Sequence, residues 1–384
     1  MPTQTQTTAP LAVPIAPAIA VLAPATPIAA APPLPIATAT PQAKPTATTA
    51  PTQVPATQVP LPPLAIAPPQ TRPFASGPFN NAVVSPQIDP NSASYLASVM
   101  GGDFFHIGKL QFSTNAHGPT DGNPPIYVSH NSDPVYTIHC MYYSGCPLEG
   151  VQEHIPVGAV AAGNSGNTSF LDDGHDDMHM AVRNADTGVE IDTWLTPQPS
   201  GFGGTLNVGY GGQYATSSGG YNQPGGATAA GFALSVGRIR AVDLQVGRIP
   251  YALFLVAPCE NGHVAPASGN DAGGVAGCPP LGAHVWLDST AADIAASGAA
   301  PSFQVIMRAL HEFGGYIGNR CTSCNLTLGL EGGLSATAFG SPNPWSPIAS
   351  RFPAESPSGT PAEYHILVSS GSIDLSAHLH VITN

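Results

Sequence analysis

Residues 172–194 carry the densest chemistry of this chain. They read Asp172-Asp173-Gly174-His175-Asp176-Asp177-Met178-His179-Met180-Ala181-Val182, a turn at Asp186-Thr187-Gly188, and then Glu190-Ile191-Asp192-Thr193-Trp194. Charged residues make up only 9% of the chain, so their crowding into two short runs is informative. In Asp177-x-His179 a carboxylate stands beside an imidazole, which fixes the ring tautomer and raises its basicity. That suits His179 as a general base. Glu190 and Asp192 lie two apart, the spacing that puts both carboxyls on one face of a strand. Paired carboxylates about 5–5.5 Å or 6.5–9.5 Å apart are what retaining and inverting glycoside hydrolysis require. His175 and Asp173 are candidate metal ligands. His-x-Asp-x-His on one strand face offers three convergent groups for a transition metal. The acid-rich loop at Asp172-Asp173 offers oxygens for Ca²⁺ or another divalent cation. Metal-free acid/base work stays open, as does a polar face held only by salt bridges such as Arg183–Glu190.

The elements that position these residues follow from parity. On a strand, side chains alternate between faces. His175, Asp177, His179, Ala181 and Arg183 then share one face, and Met178, Met180 and Val182 the other. In the second run Val189 and Ile191 are apolar, while Glu190, Asp192 and Trp194 are polar or aromatic. This predicts a hairpin with one buried and one working face. With a four-residue turn, His179 faces Trp194 and Arg183 faces Glu190. A glycine-rich aromatic rim follows, with Tyr210, Tyr214 and Tyr221. Together with Trp194 and Arg183 these are the expected substrate-binding residues, since exposed aromatic faces stack on sugar rings.

The rest of the chain sets the context. Of 384 residues, 43 are proline, and proline recurs every few residues over 1–77. Such a segment propagates neither helix nor sheet interior. It reads as an extended Pro/Ala/Thr-rich linker or stalk, suited to attaching a domain to a cell surface. Residues 78–384 read as a single globular domain. Short alternating runs at 126–128, 135–140, 251–256, 364–368 and 379–382 predict strands. Helices are expected at 91–100, at 226–234, and at 301–313, where Phe303, Ile306, Leu310 and Phe313 form an apolar stripe. The predicted class is all-β: a jelly-roll-like sandwich with a few peripheral helices.

The formal charge is −13, with ten Lys and Arg. Such a surface repels phosphate backbones and anionic membranes, so nucleic acid is not an expected partner. No proline-free apolar run is long enough to span a bilayer. The six cysteines predict three local bridges, Cys140–Cys146, Cys259–Cys278 and Cys321–Cys324, and hence an oxidising, extracellular setting. A structural metal on the Cys321/Cys324 pair is the rival reading. No basic and apolar leader is visible at the start. Nor is there a G-x-S-x-G, H-E-x-x-H, P-loop or dinucleotide fingerprint.

Two resemblances add to this. Glu190-Ile191-Asp192-Thr193-Trp194 resembles the E-[I/L]-D-x-E strand of laminarinase-like jelly-roll glycosidases, which implies a nucleophile at Glu190. Trp194 stands where that family has its acid/base, so the resemblance supplies no catalytic acid. Asp177-Met178-His179-Met180, Glu190-Ile191-Asp192-Thr193-Trp194, Gly226-Ala227-Thr228-Ala229-Ala230 and Gly247-Arg248-Ile249-Pro250-Tyr251-Ala252-Leu253, with Pro279-Pro280-Leu281-Gly282-Ala283 and Tyr316-Ile317-Gly318, resemble an uncharacterised family of secreted bacterial proteins. This chain departs from it at Tyr251, where a histidine is expected. The resemblance implies secretion and one globular domain. The residues together point to a carbohydrate-active enzyme, hydrolase or lyase, acting on an extracellular polysaccharide. The competing reading is a non-catalytic carbohydrate-binding or adhesive module.

Overall fold

The computed structural model describes residues 72–100, 111–113, 123–163, 177–221, 225–271, 274–321, 326–349, 365–367 and 371–383. Most of the predicted stalk, together with Asp173, His175 and Cys324, lies outside the described residues. The strands are β1 (Gln87–Ile88), β2 (Gln111–Ser113), β3 (Ile126–Ser129), β4 (Val135–Cys140), β5 (Gln152–His154), β6 (Met180–Asn184), β7 (Val189–Trp194), β8 (Gly204–Val208), β9 (Tyr210–Ala215), β10 (Leu253–Ala257), β11 (His284–Leu287), β12 (Gly315–Arg320), β13 (Thr327–Leu328), β14 (His365–Leu367) and β15 (Leu379–Thr383). They form an eight-stranded sheet ordered β1-β15-β11-β12-β10-β13-β2-β14, a four-stranded sheet β3-β6-β7-β9 and a three-stranded sheet β5-β4-β8. No sheet closes into a barrel. The molecule is therefore β-rich with few helices, and each sheet is mixed: β10/β12, β13/β2, β3/β6 and β4/β8 are parallel pairs.

The two small sheets share one core. Tyr136 and Ile138 of β4 and Leu206 and Val208 of β8 belong to it with Tyr127 of β3, Met180 and Val182 of β6 and Ile191 of β7. The predicted hairpin is present in the predicted register: β6 and β7 are antiparallel with Arg183 opposite Glu190 and Met180 opposite Thr193. Its turn is set locally. The Asn184 side-chain oxygen accepts the N–H groups of Asp186 and Thr187 at 3.0 and 3.2 Å. Gly188 closes the loop at φ 68°, a left-handed conformation that a Cβ disfavours.

The larger core lies beside the eight-stranded sheet. The helix Pro301–Glu312 starts on Pro301, whose missing N–H costs nothing at that position. All four residues of its expected stripe are buried. It stops at Gly314, φ 71°, where a Cβ would meet the ring of His284 at 2.2 Å. The helix expected at 91–100 is present as Ser92–Met100.

Two expectations are corrected. Residues 226–234 form turns rather than a helix. Thr228 closes the turn on itself, its hydroxyl bonding both the N–H and the C=O of Phe232. Just beyond, the N–H groups of Leu234 and Ser235 are donated to carboxylates of β7 instead of to a helical carbonyl. The globular part also begins earlier than residue 78. Phe74 is buried against Tyr214, and Ala75 N–H donates to Thr216 C=O at 3.0 Å.

Candidate functional site

The hairpin's polar face is not one working surface. Its middle is sealed. Glu190 and Asp192 have no solvent exposure, and Leu234 and Ser235 pack against them. Glu190 receives Arg183 at 2.5 Å, the Ser235 hydroxyl at 2.7 Å and the Ser235 N–H at 3.2 Å. Asp192 receives the Leu234 N–H at 2.6 Å, and its other oxygen has no bonded partner among the described residues. Burial, then the neighbouring Glu190 charge, push the Asp192 carboxyl well above the usual carboxylate range. A polymer does not reach either acid, so their expected catalytic role is replaced by a structural one. Arg183 belongs to the same buried network, stacked over Phe74 at 5.3 Å. Tyr214 is likewise buried, its hydroxyl donating to Gly231 C=O at 3.4 Å. Tyr221 lines a different hollow with Tyr95 and His284. These residues are not at a sugar-binding surface with Trp194.

The open end of the hairpin is different. Asp177, His179 and Trp194 line a cleft of about 270 Å³ with Tyr143, Tyr210, Asp271, Asn319 and Arg320. Two non-glycine residues flank it in the left-handed region: Met178 at φ 42° and Leu195 at φ 51°. Each costs on the order of 1–3 kcal/mol unless neighbours enforce it. The enforcement is visible. Leu195 N–H donates to Asp177 C=O at 2.9 Å and Thr196 N–H to Met178 C=O at 3.1 Å, so pairing continues past the regular strands. This strain aims residues 177 and 194 at one another, and the Trp194 Nε1–H donates to Asp177 Oδ1 at 3.1 Å.

An aromatic wall surrounds Trp194. Tyr143 lies nearly parallel to it, with centroids 6.3 Å apart, and Tyr142 meets it edge-on at 5.3 Å. Tyr210 packs edge-on against Tyr143 at 5.7 Å. Tyr142 and Tyr143 sit in the short loop closed by the Cys140–Cys146 disulfide. Tyr142 N–H donates to Gly209 C=O at 3.1 Å, laying that loop beside the β8–β9 junction. Gly209 lets the layers close up, since a Cβ there would lie 2.9 Å from Leu195 Cβ.

His179 is nearly buried at the back of the cleft. Its Nε2 lies 2.7 Å from the Ala227 carbonyl. A carbonyl only accepts, so Nε2 carries the proton. Burial holds the ring's pKa below 6.5, outweighing the opposing pull of Asp177. The imidazole is therefore neutral at neutral pH, and Nδ1 keeps its lone pair. Asp271 comes from the loop closed by the Cys259–Cys278 disulfide. Burial pushes its carboxyl up; Arg320, 3.8 Å away, pulls it down, and Glu260 and Asp177 push it up again.

The cleft thus joins three residues of the hairpin signal, Asp177, His179 and Trp194, with the rim residue Tyr210. It adds Tyr143, Asp271, Asn319 and Arg320, with Tyr142 packed against Trp194, none of which the sequence reading selected. The paired tyrosines inside a six-residue cysteine spacing were a visible signal. Asp271 reaches the cleft from far along the chain and left none. Cys321 is disulfide-bonded, as are the two predicted local pairs. Among the described residues no cluster of three or more His, Cys, Asp or Glu is arranged to hold a metal, and no helix is long and apolar enough to cross a membrane. Comparison with protein-family models, with curated proteins and with solved structures finds no match to this chain.

Proposed function

We propose that this chain is a secreted, carbohydrate-active protein that hydrolyses a polysaccharide in the Asp177–Trp194 cleft. The observation that carries the reading is the joining of an aromatic wall to an acid/base group in one small opening. Aromatic side chains give flat apolar faces with a polar handle, which suit the apolar face of a sugar ring. The acids stand at the edge of that platform. Asp271, held protonated to a higher pH than an ordinary carboxyl, is the group to protonate the departing glycosidic oxygen. Asp177 is exposed and anchored by the Trp194 indole, and it activates water or attacks the anomeric carbon. Carboxyls whose environments differ in this way are how one fold separates acid from base. His179 stays neutral and closes the back of the cleft, with Nδ1 left as a hydrogen-bond acceptor. Of the two reactions open to such a protein, hydrolysis fits better than elimination, because two carboxyls converge here. The disulfides suit an oxidising compartment, and the resemblance to secreted bacterial proteins points to the same location. A jelly-roll-like sandwich and a stalk-borne position at the cell surface belong to this reading.

The second reading is a non-catalytic binding module. It is favoured by the exposure of Tyr143, 58%, and Tyr142, 47%, which leaves the aromatic wall open to a polymer.

A polysaccharide panel tests both. New reducing ends are expected with wild type, and turnover should fall about 10²–10⁴-fold in Asp177→Asn and Asp271→Asn with binding retained. Binding without turnover on every polymer would establish the module. Ultraviolet absorbance from unsaturated products would establish elimination instead.

A further inference from the structure

We propose that the sugar preferred by this cleft carries a free amine, as in polymers of glucosamine. The inference rests on reading the cleft as a glycan site and adds the charge of its occupant. Two carboxyl groups, Asp177 and Asp271, line the opening against one guanidinium, Arg320, and that cation already lies 3.8 Å from Asp271. A third carboxylate stands behind them. Glu260 is 1% exposed, and its Oε1 has no bonded partner among the described residues. Its charge acts on Asp271. Arg238 also acts on His179, and it is buried and held over the Phe254 ring at 4.6 Å. His179 contributes no charge.

The walls add to this preference. Trp194, Tyr142, Tyr143 and Tyr210 form the aromatic side, and the face of an aromatic ring is the negative end of its quadrupole. An ammonium carried on a sugar seated against Trp194 would meet ring faces on one side and the Asp177 carboxylate on the other. A uronate in the same place would meet the Asp177 carboxylate, and the whole chain, at −13, would repel a polyuronate before contact. A neutral sugar would gain the stacking alone.

The test is calorimetric titration of the full chain with four matched oligosaccharides at mildly acidic pH: glucosamine, N-acetylglucosamine, glucose and galacturonate tetramers. Glucosamine should bind roughly tenfold more tightly than glucose, the scale of one partly desolvated cation–π contact with a nearby charge. The advantage should shrink toward the glucose level in about 1 M salt, where screening acts within about 3 Å. Asp177→Asn, an exposed and isosteric change, should bring glucosamine affinity down to about the glucose level. Trp194→Ala should weaken both. Asp271→Asn gives a second charge variant and should reduce the advantage in part. Equal affinity for glucosamine and glucose, or tighter binding of galacturonate or the acetylated sugar, would overturn the inference and leave the glycan reading standing. Tighter binding of a lysine pentapeptide than of glucosamine would overturn the sugar assignment. Binding of none of the four sugars would bring down both.

Discussion

The indole of Trp194 and the carboxylate of Asp177 are joined by a hydrogen bond of 3.1 Å across the mouth of the β6–β7 hairpin. The bond ties the residue best suited to hold a sugar to the residue best placed to act on it. Trp194→Phe keeps an aromatic face and removes the donor. Turnover should fall about tenfold, the loss expected for one hydrogen bond to a charged acceptor, with oligosaccharide affinity changed less than about threefold. Trp194→Ala should lower affinity as well. Steady-state kinetics and calorimetry together separate the two effects.

Arg183 and Glu190 hold layers together instead of doing chemistry. Arg183→Ala strands a buried carboxylate, so it should cost about 3 kcal/mol, the lower end for breaking a buried pair because the Arg183 side chain keeps 24% exposure. Urea denaturation measures this. At a temperature where the variant is folded, turnover in the cleft should be near normal. Lost turnover at unchanged stability would return Glu190 to the chemistry.

Asp192 makes stability depend on pH. Its folded pKa is raised well above 3.8 by burial and by Glu190. The folded state therefore holds a proton that the unfolded chain releases. The stabilising contribution is whole below about pH 3.8 and is lost as pH rises through the folded value, at up to about 1.4 kcal/mol per pH unit. Asp192→Asn should flatten that decline. His179 works in the opposite sense: its folded pKa lies below 6.5, so stability is whole above that pH and is lost as pH falls. Denaturation midpoints across pH for wild type, Asp192→Asn and His179→Gln resolve the two contributions.

The Cys140–Cys146 and Cys259–Cys278 disulfides should have separable effects. Serine at both Cys140 and Cys146 frees the loop that presents Tyr142 and Tyr143, so affinity should fall several-fold. The stability cost should be about 2–3 kcal/mol, as for a short closed loop. Serine at both Cys259 and Cys278, which close a longer loop, should displace Asp271 and lower turnover more than affinity.

Much of this arrangement is legible in the sequence, and its failures have a common cause. Alternation fixed the β6–β7 register down to the Arg183–Glu190 pair, because a period of two and a four-residue turn leave little freedom. The same alternation cannot tell a wet polar face from one covered by another layer. Glu190 and Asp192 look like a working surface until residues 234 and 235 are seen to donate their N–H groups to them. That covering segment looked helical because Gly226-Ala227-Thr228-Ala229-Ala230 is rich in small residues. Its path is decided by those buried carboxylates, which lie far back in the chain. Asp271 and Arg320 enter the cleft through tertiary folding alone, and Tyr214, on the same strand face as Tyr210, is buried because Phe74 and Gly231 pack against it.

If glycan is held and cut between Trp194 and Asp177, a crystal structure of the Asp177→Asn variant with a bound oligosaccharide should show a sugar ring against Trp194 and Tyr143, with its glycosidic oxygen within hydrogen-bond reach of Asp271. A chain lodged instead in the hollow beside Tyr221 and His284, with the Trp194 wall bare, would contradict it.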